Sequence, residues 1–119
     1  MARSDRERVR DILAAIADIR ADTAGMDFNA FCRSPVVIRS VLFSLGVIGE
    51  AAKALGTDVK SAHPSIRWRA VAGMRDRIVH EYFRTNIRRV WEVEEEDLDQ
   101  LDRALQAALT GDTEPPLSH

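Results

Sequence analysis

The chain has 119 residues, of which 45% are hydrophobic, with 17 Lys and Arg against 19 Asp and Glu. That is enough for one globular domain with a true core and too little for two. A single cysteine, Cys32, excludes an intramolecular disulfide framework and fits a reducing compartment, and no cysteine-histidine cluster has zinc spacing. The start of the chain is charged, and the longest apolar run, from Val36 to Ile48, is broken by Arg39 and too short to span a bilayer. A cytoplasmic protein with no membrane segment is therefore expected.

Helical signals separated by turn signals then follow in order. Ser4 with Glu7 forms a capping box, after which Val9, Ile12, Leu13 and Ile16 recur at helical spacing, predicting a first helix from Asp5 to Ala24 that stops at Gly25. Asp27 can cap a short helix through Phe28 and Phe31. Ser34-Pro35 opens a helix with Val37, Val41, Leu45, Ile48, Ala52 and Leu55 on one face, and Gly56 stops it. Gly46 and Gly49 in its interior weaken it relative to alanine, which predicts a close-packed neighbouring helix or, less simply, room for a ligand beside Glu50. Thr57 to Pro64 reads as a loop.

The next helix is expected from around Ser65 or Trp68 to about Phe83. Asn86 can cap the last one, where Val90, Leu98, Leu101, Leu105 and Leu109 form the stripe and Gly111 the stop. Residues 1–111 thus form one all-α domain, an up-and-down bundle of four principal helices plus a short extra helix, and the tail 112–119 is predicted to be disordered.

Near neutrality hides a charge asymmetry. Seven arginines stand between Arg67 and Arg89, among them Arg77, Arg84, Arg88 and Arg89, whereas Glu92 to Asp102 holds seven acids and no base. The basic segment suits an anionic partner, and the acidic one a solvated or partner-facing surface.

Within the basic segment, "GMRDRIVHEYF" places Arg75 centrally in an apolar arc of Trp68, Val71, Ile78, Val79 and Tyr82 at about 100° per residue. A guanidinium buried there must meet a carboxylate, a hydroxyl or a bound anion, and Glu50 is the acid best placed to be its partner. The plainest outcome is a buried Arg-Glu pair that fixes packing. His80 diverges from Arg75 by about 140° on the same helix, and Asp76, four residues before it, can fix its tautomer. Both reach one phosphate only if the helix bends or ends near His80, or if two chains contribute across a symmetric interface. Were that phosphate in RNA, the vicinal 2′-hydroxyl would serve as nucleophile, histidine as acid or base, and arginine as the fixed cation, with no metal or other cofactor required.

Arginine followed five positions later by histidine is weak evidence in so arginine-rich a chain, but adding the only tyrosine two positions on makes the pattern specific. On that motif, Arg75-x4-His80-x-Tyr82, and on "VIGEAAKALG" at 47–56, "HPSIRWRAVAGMRDRIVHEYF" at 63–83 and "VWEVEEEDLDQL" at 90–101, the chain resembles the HepT-like family of HEPN-domain proteins, the toxin halves of MNT-HepT toxin-antitoxin pairs. The resemblance implies an all-α homodimer with its cleft between protomers and metal-independent endoribonuclease activity on RNA, transfer RNA being one candidate substrate, with Arg75 and His80 as the catalytic pair. It also implies a small nucleotidyltransferase antitoxin that transfers AMP to Tyr82 and so blocks the cleft. Asp76 departs from the asparagine common in the family; a carboxylate can orient His80, yet it also repels phosphate. The competing readings are a non-catalytic helical module that binds RNA or the nucleotidyltransferase, and a partner that merely accepts AMP on Tyr82.

Overall fold

A computed structural model describes residues 3–76, 87–93 and 97–113. All secondary structure among them is helical: α1 (Arg3–Thr23), α2 (Phe28–Cys32), α3 (Pro35–Ala54), α4 (Thr57–Ala62), α5 (Trp68–Ala72), α6 (Ile87–Glu92) and α7 (Leu98–Thr113). The fold is the expected all-α bundle. Helical backbone resumes at 74–76 after a turn at Gly73. The expected helix end at Phe83, the Asn86 cap and the tail beyond residue 113 lie outside the described residues.

Helices α1 and α3 form the centre of the bundle and run antiparallel. Asp5 near the start of α1 meets Gly56 just after α3, while Asp22 near the end of α1 accepts a hydrogen bond from Ser40 in the first half of α3. Helix α5 packs against α3 and α7 against α1, while α2 sits against α3 and α6. The core combines Val9, Ile12, Ile16 and Ile19 of α1, Val41, Leu45, Ile48 and Ala52 of α3, and Leu98, Leu101 and Leu105 of α7. One end is filled by Phe31 and Trp91, with ring centroids 5.1 Å apart. Helix α3 is longer than the Val36–Ile48 run suggested and, by length and composition alone, could cross a membrane; its inward face is nevertheless part of this core.

Local turn chemistry follows the sequence at three points. Gly25 takes the left-handed conformation (φ 76°) that ends α1. Asp27 accepts a hydrogen bond from the Ala30 amide at 2.8 Å, and Ser34 one from the Val37 amide at 3.4 Å with Pro35 in the first turn. Three expectations fail. Helix α1 already includes Arg3, so Ser4 lies inside it and the Ser4-Glu7 box is not its cap; Glu7 pairs with Arg3 instead. Thr57 to Pro64 is not a loop but holds α4, whose first turn receives a tertiary contact: the Gly56 amide donates to Asp5 at 3.1 Å. Gly111 does not stop the last helix, which runs to Thr113, because one glycine weakens a helix by about 1 kcal/mol without forbidding it.

Candidate functional site

The site is organised around the contact between α3 and α5. A Cβ built on Gly49 would stand 2.9 Å from the Arg75 amide nitrogen and 3.1 Å from the Val71 carbonyl oxygen, so only glycine lets the two backbones approach this closely. The close approach predicted for this glycine is present, whereas at Gly46 a Cβ would meet nothing within 4 Å. Trp68 anchors the start of α5: its indole N–H is shared between the Lys60 and His63 carbonyls, at 3.2 and 3.0 Å, binding α5 to the end of α4.

Gly49 thereby places the Arg75 backbone beside the next residue of α3, Glu50. The Arg75 Nε lies 3.7 Å from a Glu50 carboxylate oxygen, which brings together the pair expected from sequence. The environment differs from expectation: the Arg75 side chain is 52% exposed and that of Glu50 73%, so this is not a buried pair. The buried arc of the segment is centred on Val71 and Met74, which shifts Arg75 to its rim. Such an exposed, loosely seated pair contributes about 0–1 kcal/mol. Arg75 can therefore turn to a stronger anion, and a bidentate arginine-phosphate contact is one.

Asp76 is exposed beside it. His80, Tyr82, Arg77 and Arg84 lie outside the described residues. Arg88 and Arg89 stand on α6, and each has a contact within the chain: the Arg88 guanidinium sits over the Phe28 ring, 4.1 Å from its centroid, and Arg89 pairs with Glu92 at 3.5 Å. A cation over an aromatic face is attracted by the ring quadrupole, so Arg88 has a packing role that its place in a basic run did not reveal. The acidic run is likewise partly internal. Asp99 and Asp102 grip Arg20 of α1 at 2.5 and 2.7 Å, and the hydrogen bond that Arg20 donates to Asp102 leads the influences that raise the Arg20 pKa, with burial opposing it. One turn apart on α7, these two acids present a fork to α1. Among the described residues no three His, Cys, Asp or Glu side chains converge to hold a metal ion.

A helical bundle with an arginine held at the rim of a glycine-mediated helix contact, inside a basic segment, describes a class of small all-α proteins suited to an anionic ligand. Residues 12–108 match the family described as Ribonuclease HepT-like, and the chain belongs to that family. It is 36% identical over 85 residues to "Putative RNase TTE0752" of Caldanaerobacter subterraneus subsp. tengcongensis, covering 71% of this chain and 76% of that one. It is also 37% identical over 101 residues to "Probable ribonuclease HepT" of Thermococcus cleftensis, covering 85% of this chain and 92% of the relative. No solved structure matches significantly.

Proposed function

We propose that the protein is a metal-independent endoribonuclease that cleaves RNA by attack of the 2′-hydroxyl on the adjacent phosphate. The observation that carries this reading is the exposed Arg75 guanidinium, seated beside Glu50 in a chain of the HepT-like ribonuclease family. In the proposed reaction His80 transfers the protons, accepting one from the 2′-hydroxyl or giving one to the leaving 5′-oxygen, and Asp76 orients its ring. Arg75 leaves Glu50 to hold the non-bridging phosphate oxygens as charge develops on them. Arg77, Arg84 and Arg89 add positive charge along the strand, with Arg88 sharing that role with its packing on Phe28. The active form is a homodimer in which two chains together supply arginine and histidine to one cleft.

The same reading makes the protein the toxin of a cytoplasmic toxin-antitoxin pair. A nucleotidyltransferase antitoxin would transfer AMP to the Tyr82 hydroxyl, forming a phosphodiester and releasing pyrophosphate from ATP. The added anion competes with RNA phosphate for Arg75.

The test is cleavage of total RNA or transfer RNA by purified protein in the presence of a chelator. Wild type should cut, and His80→Ala should fall by about 10²–10⁴-fold, the range of general acid-base catalysis. No cleavage by wild type, or full cleavage by His80→Ala, would reject the proposal in favour of a non-catalytic binding module. Mass spectrometry after incubation with ATP and the candidate antitoxin checks the second part, which fails if Tyr82 stays unmodified.

A further inference from the structure

Four side chains at one end of the bundle form a column that runs from the core to the surface. Phe31 at its base is fully buried, and its ring centroid lies 5.1 Å from that of the buried Trp91. Trp91 stands 6.3 Å from Phe28 with the rings tilted by 59°, and over the half-buried Phe28 ring lies the exposed Arg88 guanidinium, 4.1 Å from the centroid. Burial of apolar surface explains the three rings but not the cation that closes them. Among the described residues no carboxylate pairs with Arg88, in contrast to Arg89 beside it, which pairs with Glu92.

The outer end of this column has the chemistry of a stacking platform. A guanidinium is planar, and one side of it rests on Phe28 while the side turned away faces solvent. Aromatic faces and arginine planes are the surfaces on which unpaired RNA bases stack. The rings beneath hold the platform in place, since Phe28 is itself packed on Trp91 and Trp91 on Phe31. Arg33, exposed, closes α2 within about 8 Å of Phe28 along the helix axis and supplies a cation for the adjoining phosphate.

We infer that the Arg88-Phe28 stack is a subsite for an unpaired RNA base, which lies on the guanidinium as the next layer of the column. This rests on the ribonuclease reading and deepens it, because a stacked base gives a sequence preference that charge along the backbone does not. Purines, with the larger faces, are favoured. Phe28 precedes the start of α3, to which α2 is joined by the Ser34 amide on the Phe31 carbonyl, whereas Glu50, the partner of Arg75, lies about 22 Å along α3 at 1.5 Å per residue. Within one chain the subsite is therefore remote from Arg75, so it selects and holds the strand and takes no part in proton transfer.

Fluorescence anisotropy with 2′-O-methyl RNA tests this on the full chain, because the methyl group blocks the attacking hydroxyl and leaves the probe uncut. Wild type should bind a single-stranded oligoadenylate more tightly than the matching oligouridylate. Arg88→Lys, which keeps the charge and loses the plane, should weaken oligoadenylate binding about tenfold, nearly as much as Arg88→Ala, and should erase the preference for adenine. Phe28→Leu, which keeps apolar bulk but removes the ring that seats the guanidinium, should do the same, with circular dichroism confirming the fold. Full affinity in Arg88→Lys together with a loss in Arg88→Ala makes Arg88 a phosphate contact and overturns the subsite. Unchanged affinity in every variant overturns it too and leaves the cation a packing role alone. In both cases the ribonuclease reading stands if wild type cleaves RNA in the chelator assay. An adenine preference that Arg88→Lys abolishes, in a protein that cuts no RNA, supports the subsite and rejects only the catalysis. A wild type that binds neither oligomer overturns the subsite, and if it also cuts no RNA the reading beneath it falls as well.

Discussion

Substituting Gly49 by alanine tests the contact on which the site rests. The new Cβ would lie 2.9 Å from the Arg75 amide nitrogen, 3.1 Å from the Val71 oxygen and 3.4 Å from the Ala72 oxygen. All three are backbone atoms in or beside a helix, so none can swing aside as the end of a side chain could, and the α5 segment must move bodily by several tenths of an ångström. Overpacking of this kind costs about 1–3 kcal/mol. Alanine recovers about 1 kcal/mol of helix propensity, leaving a net loss of about 1 kcal/mol. Gly46→Ala makes the same chemical change three residues earlier, where the Cβ meets nothing within 4 Å, so only the favourable part remains, about 0.4–1 kcal/mol. With urea slopes of about 1–3 kcal/mol per molar, the unfolding midpoints of the two variants should differ by roughly 1 M, with Gly49→Ala the lower. Circular dichroism during urea titration at one fixed protein concentration reads this directly. Equal midpoints, or a higher one for Gly49→Ala, would refute the claim that backbone contact requires this glycine.

Three further predictions concern the frame around that contact. Asp5→Ala removes a carboxylate, only 8% exposed as a residue, that receives the Gly56 amide at the start of α4; the loss should be about 1–2 kcal/mol, the upper range for a helix cap, and an unchanged urea midpoint would contradict that role. Phe31→Ala empties a fully buried position against Trp91 and should lower stability by about 3–5 kcal/mol, measured by thermal unfolding and accompanied by altered Trp fluorescence. Arg20→Gln should cost only about 0.5–1 kcal/mol, since its side chain is 42% exposed. The folded-state pKa of Arg20 is raised, chiefly by Asp102, so its contribution is complete below the unfolded value and fades only as pH climbs into the strongly alkaline range. Its stability difference from wild type should therefore not shrink between about pH 7 and about pH 9.

The features legible in the sequence are those with local causes. Gly25, Asp27 and Ser34-Pro35 act within one turn of themselves, and the stripes through Ile12, Leu45 and Leu101 report a solvent boundary that every helix of the bundle shares. What the sequence concealed depends on residues distant along the chain. Helix α4 has no apolar period of its own; it is held by Asp5 across 51 positions, by burial of Val59, and by the Trp68 indole on its last carbonyls. No window around Thr57 contains the first of these partners. The Ser4-Glu7 box was legible as a pattern, yet helical backbone extends past it and the nearby carboxylate of Asp5 serves another helix. Asp99 and Asp102 looked like part of a solvated acidic face, and only the packing of α7 on α1 brings Arg20 between them.

Arg75 shows how a small angular error changes the meaning of a residue. Helical arithmetic put it mid-arc, where its charge would have needed a buried partner and its loss would have cost several kcal/mol by stranding Glu50. Packing at Gly49 instead centres the buried face on Val71 and Met74 and moves Arg75 to the rim, 52% exposed. Two accounts of the residue now diverge in measurable terms. If Arg75 serves packing, Arg75→Ala should unfold the chain and lose activity as a consequence. If it waits for phosphate, the variant should stay within about 1 kcal/mol of wild type, as expected for an exposed pair. RNA cleavage should meanwhile fall by about 10²-fold or more, the scale of losing one transition-state donor. Urea titration and a cleavage assay on the same preparation decide between them: a stable, inactive Arg75→Ala supports the phosphate role, and an unstable one returns the residue to the core.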